Sequence, residues 1–178
     1  MLVKVGVPDT LQAREGRGYL NAGSSGLNKG CFVRLGGVFA TAAGPSGKAG
    51  KPGYAPAGAA RWDVCGIYNT GYIIGVVDKL EFQEESSDLS LDTIVSGESV
   101  VVYKEGLFET DQYENTITTS TAAGTKLYIS ASAKLTTTAP ANTKPVAILW
   151  QVKSTFNSDY AATGLVLFEL LPNTWVTA

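Results

Sequence analysis

Apolar side chains in this chain recur at every second position in short runs, and no segment repeats them at helical spacing. That period is the strongest constraint on the fold, because period two places alternate residues on opposite faces of a strand. Lys126-Leu-Tyr-Ile-Ser130 puts Leu127 and Ile129 on one face, and Leu80 and Phe82 alternate with Lys79, Glu81 and Gln83. Tyr72-Ile-Ile-Gly-Val-Val77 and Val100-Val-Val-Tyr103 are β-branched runs. Val146 to Val152 and Leu165 to Leu171 read as central strands buried on both faces for part of their length. The Thr-rich stretches 116–121 and 136–143 favour strand or extended loop over helix. An all-β fold follows.

Composition divides the chain near residue 61. The first sixty residues carry Asn21-Ala-Gly-Ser-Ser-Gly26, Thr41-Ala-Ala-Gly-Pro-Ser-Gly47, Gly50-Lys-Pro-Gly53 and Ala55-Pro-Ala-Gly-Ala-Ala60. Such clusters raise the entropic cost of ordering and interrupt regular elements. Residues 1–60 are therefore expected to be an extended Gly/Ala-rich region that is mobile or ordered by a partner, with one hairpin at 30–41. Residues 61–178 are expected to form the β-domain.

Three stretches share one pattern: Gly97 to Thr110, Gly124 to Thr137 and Gly30 to Thr41. Each has Gly, two aliphatics at period two, a small residue (Gly106, Ala133 or Gly37), and then Phe108, Leu135 or Phe39. The pattern suits a hairpin whose two arms return to one core, with Ala133 needing a turn type other than the glycine one. Gly-bounded hairpins are also common in any all-β protein, and that plainer reading stands beside the repeat. Hairpins joined in sequence build a small β-barrel or a β-sandwich.

The chain contains no histidine. That excludes Ser/His/Asp and Cys/His triads and His-bearing zinc sites. Cys31 and Cys65 are the two cysteines, too few for a disulfide framework. Two buried thiols are preferred over a single bridge. Acidic residues are densest at Glu84, Glu85, Asp88 and Asp92, where a solvated turn is preferred over a glycosidase pair or a calcium loop. No catalytic, cofactor or metal site is expected, and the chain is not read as an enzyme.

Charged residues are 17% of the chain, the net charge is −2 and the basic residues are scattered. Phosphate neutralisation needs clustered Lys and Arg, so neither nucleic acid nor an anionic membrane is an expected partner. Met1-Leu-Val-Lys-Val-Gly-Val-Pro8 holds no apolar run long enough for a signal peptide, and a cytoplasmic origin is expected. A neutral surface rich in Gly, Ala, Ser and Thr suits packing against other protein. Candidate partner-binding residues are Tyr19 and Leu20 in the N-terminal region, and Trp62 and Tyr68 just after it. For Trp62, Tyr68 and Tyr72 a core role is preferred to a sugar-stacking or protein-binding platform.

Gly97-Glu-Ser-Val-Val-Val, Ala123-Gly-Thr-Lys-Leu-Tyr-Ile-Ser with Leu135-Thr136, Lys144-Pro-Val-Ala-Ile-Leu and Gly164 to Leu171 together resemble the head decoration (cement) proteins of tailed bacteriophages. The resemblance covers under half of the chain. It implies a small β-domain behind an extended Gly/Ala-rich region, bound to the capsid exterior after assembly in the host cytoplasm. It also implies the major capsid protein lattice as partner and a homo-oligomer, a trimer by preference. On that view the N-terminal region orders on the shell and adds a strand to a capsid-protein edge. The alternatives are a tail or fibre component with a carbohydrate-binding tip, a carboxylate-only barrel enzyme and a surface adhesin module.

Overall fold

Four consecutive residues, Val100 to Tyr103, are buried on both sides of one strand, which places that strand between two apolar layers. The computed structural model describes residues 2–4, 15–22, 26–65, 74–79, 93–140, 144–153 and 164–171. These hold β1 (Leu2–Lys4), β2 (Glu15–Asn21), β3 (Leu27–Asn28), β4 (Phe32–Val38), β5 (Ala60–Val64), β6 (Ile74–Lys79) and β7 (Thr93–Ile94). They continue with β8 (Ser99–Tyr103), β9 (Gly106–Thr110), β10 (Lys126–Ile129), β11 (Leu135–Thr136), β12 (Ala147–Lys153) and β13 (Leu165–Leu170), with no helix among the described residues. The fold is all-β, as the period predicts.

β2, β5, β4, β6 and β8 close into a five-stranded barrel in that order. The β2–β5 pair is parallel and the other four are antiparallel. Its interior holds Leu20, Val33, Trp62, Val77, Val100 and Val102, and Ile94 of β7 joins the same cluster. A six-stranded sheet, β1-β9-β13-β12-β10-β11, is antiparallel throughout. It packs on the barrel's outer wall: Phe32, Val76, Val101 and Tyr103 meet Phe108, Leu127, Leu149, Val166, Phe168 and Leu170. At the centre the rings of Tyr103 and Phe108 lie 5.3 Å apart, and those of Phe108 and Phe168 5.9 Å apart.

The alternation explains this layering. In β8, Val100 and Val102 point into the barrel while Val101 and Tyr103 point at the second sheet. β4 and β6 divide in the same way, with Val33 and Val77 inside and Phe32 and Val76 outside. Trp62 fits inside only because β2 passes close to it. A Cβ on Gly18 would stand 2.9 Å from the indole Cδ1 and Nε1.

Of the three expected hairpins, only the one at 124–137 forms. β10 pairs with β11 through Tyr128↔Thr136 and Ile129↔Leu135. Its turn places Ala133 at φ 60, the left-handed conformation that glycine supplies at such a turn, so the different turn type expected for Ala133 is not adopted. At 97–110 the chain instead leaves the barrel after β8 and enters the second sheet as β9. The edges of β8 are taken by β2 and β6, and those of β9 by β1 and β13. At 30–41 the expected hairpin is one strand, β4, bulged between Leu35 and Val38 where Gly36 and Gly37 lie opposite Arg61. The Gly-Gly pair makes a bulge, not a reversal, because β5 pairs with β4 on both sides of it.

The compositional change at residue 61 falls inside the barrel, since β5 begins at Ala60 and pairs with β2 and β4. The Gly/Ala-rich segment 40–59 is held by its own chain. Ala55 N–H donates to Gly97 O at 2.8 Å, Ser99 N–H to Gly53 O at 2.8 Å and Ala43 N–H to Ala55 O at 2.8 Å. Tyr54 and Ala55 are buried. Gly97 sits at φ 88, and a Cβ there would fall 2.5 Å from Ala43 C and Gly44 N.

Two stability outcomes are expected. Gly97→Ala imposes both a left-handed conformation and a backbone clash, so it should cost about 2–4 kcal/mol. Urea unfolding should show that loss, together with faster proteolysis within 40–59. Phe108→Ala removes the ring at the centre of the interlayer cluster and should cost about 3–5 kcal/mol.

Candidate interaction surface

Large apolar side chains exposed on a folded surface are informative when they sit in a region without competing charge. Among the described residues these are Leu35 (40% exposed) and Val38 (58%) on β4, and Trp150 (47%) on β12. Both places are bulges. Between Leu149 and Gln151 the β12–β13 register shifts, leaving Trp150 without a cross-strand partner, and its indole Nε1–H donates to Glu169 Oε2 at 3.1 Å. In β4 the extra residue turns the strand end outward, next to the 40–59 loop.

The β4 end and the 40–59 loop make the larger surface. Ala40, Thr41, Ala42, Ser46, Ala49, Pro52, Pro56 and Ala57 are all exposed there. Its charged groups are Lys48, whose Nζ lies 5.7 Å over the Tyr54 ring, and exposed Lys51. On the outer face of the barrel, Asp63 gathers two guanidinium groups. Arg61 Nε is 2.9 Å from Asp63 Oδ1, Arg34 reaches Asp63 Oδ2 at 3.9 Å, and Asn21 Nδ2 donates to Asp63 Oδ1 at 3.0 Å. Ser96 Oγ in turn donates to Asn21 Oδ1 at 3.4 Å. Partly exposed ion pairs of this kind contribute about 1 kcal/mol or less each, so the cluster fixes side-chain positions more than it stabilises the fold.

The four candidates from sequence fare differently. Leu20 is fully buried and Trp62 is 3% exposed, both inside the barrel, which withdraws them as surface anchors. Trp62 belongs to the core, and Lys104 Nζ lies 5.6 Å over its ring. Tyr19 is half-buried and pairs in register with Arg61, which puts it on the outer face beside the Asp63 cluster. Tyr68 lies outside the described residues, as do Tyr72 and the acidic turn at Glu84, Glu85, Asp88 and Asp92. Sequence reading missed Leu35 and Val38. Their signal was the Gly36-Gly37 pair inside an apolar strand, which marks a bulge as readily as a turn.

No group of three or more His, Cys, Asp or Glu residues is placed to hold a metal ion among the described residues. Cys31 and Cys65 are free thiols, both buried. They lie in different cores, Cys31 with the barrel interior and Cys65 with the interlayer cluster. Cys31 Sγ reaches Gln112 Oε1 at 3.5 Å. No family model matches the chain, nor does any curated protein or solved structure.

Burial pushes the Cys31 thiol up from 9.0 to about 11. Its neutral form is therefore favoured by folding. Between pH 9.0 and about 11 the unfolded thiol ionises while the folded one keeps its proton, so stability should fall across that window and not below it. Urea melts of wild type and Cys31→Ala as a function of pH should show a steeper loss of stability across this window in wild type than in the variant. Neither thiol should react rapidly with a thiol reagent at pH 8 until the protein is unfolded.

Proposed function

We propose that this chain is a virion structural protein, a decoration or cement protein that binds the outer surface of a tailed-phage capsid and stabilises the shell. The observation that carries the reading is the surface formed by the β4 end and the 40–59 loop. It is preordered by its own chain, built of small neutral residues and centred on exposed Leu35 and Val38. Small residues let a second protein approach closely, and a preordered loop spends little conformational entropy on docking. This is a surface for protein, and it requires no catalytic group. The sequence resemblance to cement proteins points the same way.

The structure alters how such binding would work. β2 already pairs with both β5 and β8, so residues 15–21 are not available to add a strand to a capsid-protein edge. Binding by the 40–59 loop replaces that route. A protein that binds only the assembled lattice lowers the lattice's free energy by mass action, and many weak sites on one shell add through avidity. A trimeric assembly on the capsid exterior, formed in the host cytoplasm, completes the reading.

One observation favours a second reading. Trp150, held by Glu169 on the far sheet, offers an exposed indole beside a carboxylate, an arrangement suited to stacking a sugar ring. It fits a tail or fibre component with a carbohydrate-binding tip.

Purified protein should co-sediment with undecorated capsids from its own source. It should saturate at a fixed copy number per shell and raise the capsid melting temperature. Trp150→Ala should leave that binding intact. Absence from shells, with recovery in purified tails and Trp150-dependent glycan binding, would replace the cement reading with the fibre one.

A further inference from the structure

The outer face of the second sheet presents a row of side chains whose charges are opposed about an apolar centre. Lys126 of β10, Ile148 of β12 and Glu169 of β13 are direct cross-strand partners, so the three stand side by side on one face. Their chain neighbours Leu127, Ala147, Leu149, Phe168 and Leu170 all enter the interlayer core, and alternation therefore turns the row away from it. Trp150 belongs to the same face, because its indole Nε1–H reaches Glu169 Oε2 at 3.1 Å. Exposed Gln151 pairs with half-buried Leu167 in the next row. Lys126 and Trp150 are exposed and Ile148 is half-buried, so this part of the sheet is open to solvent.

A face built this way is complementary to itself. Neighbouring strands lie about 4.8 Å apart, which sets Lys126 and Glu169 at similar distances on either side of Ile148. Two copies laid face to face about a two-fold axis running along β12 bring each Lys126 opposite Glu169 of the partner subunit, and each Ile148 opposite its counterpart. The two indoles meet on the same axis, and sheets stacked about 10 Å apart leave room for them. From this complementarity we infer that the outer face of the second sheet binds a second copy of this chain, through Lys126–Glu169 pairs around a centre of Ile148 and Trp150. The bond to Glu169 fixes the indole before contact, and a large aromatic side chain held in place is suited to anchor an interface. The opposed charges set orientation and partner choice. A two-fold contact joins copies in pairs and cannot close a trimer, so it is separate from the trimeric contact proposed on the shell. It is also independent of what the 40–59 loop binds.

Sedimentation velocity of the full chain over a concentration series, at low and high NaCl, tests this without any capsid. The species present at low concentration should double in mass as concentration rises, and less readily at high salt. Lys126→Glu and Glu169→Lys, each alone, oppose like charges across the axis and should weaken the doubling by roughly tenfold or more at low salt. Mixed in equal amounts, the two variants should associate with each other, since every pair across the axis is then attractive again. Trp150→Ala should weaken the doubling by roughly tenfold or more at either salt concentration. Lys126 and Trp150 are exposed, and the melting temperature of each variant checks its fold. A wild type that never doubles in mass overturns the inference, and so does a doubling that survives both reversals and Trp150→Ala. Failure of the mixture to associate also overturns it, because Glu169→Lys alone could act by freeing the indole. An undoubled wild type that binds glycan through Trp150 would reassign the face to a sugar. No capsid is present, so failure here leaves the capsid-binding reading standing.

Discussion

β4, β6 and β8 form a wall shared by two hydrophobic cores, and the rest of the molecule is arranged around that wall. Each strand sends alternate side chains to opposite sides, so Val33, Val77, Val100 and Val102 fill the barrel while Phe32, Val76, Val101 and Tyr103 face the second sheet. A five-stranded barrel alone would leave that outer row in water. Covering it with Phe108, Phe168, Leu127 and Leu149 joins the two layers into one packed body. The covering sheet is reached by the short step from β8 to β9, which sets the Tyr103 and Phe108 rings against each other across the boundary, tilted by 38°.

The same economy orders the Gly/Ala-rich loop. Residues 40–59 have little apolar surface of their own, yet Tyr54 and Ala55 are buried and the backbone bonds to Gly53, Ala55 and Gly97 hold the segment against β8. Gly97 is the hinge of this arrangement because only a residue without Cβ allows Ala43 and Gly44 so close. An ordered loop with small side chains can present a defined shape to a partner at low entropic cost.

The β4 bulge leaves Leu35 and Val38 exposed, the Asp63 cluster holds Arg34 and Arg61 on the barrel, and Trp150 and Glu169 lie together on the second sheet. Among the described residues, each large exposed apolar side chain sits at or beside a break in strand register. A bulge expels a side chain that regular pairing would have buried or matched across the strand.

By itself the sequence determined the all-β class, the positions of β6, β8, β10, β12 and β13, the 124–137 hairpin and the absence of histidine chemistry. These depend on period-two patterning or on composition, both of which are local. Tertiary structure alone decided that β8 and β9 part company, that β4 runs straight through its glycine pair, and that Leu20 and Trp62 are buried while Leu35 and Val38 stay exposed. Alternation shows that a strand has two faces without saying which face meets which layer. A glycine pair reads the same in a turn and in a bulge. The partner strand on each edge settles both, and pairing across long sequence separations leaves no local mark.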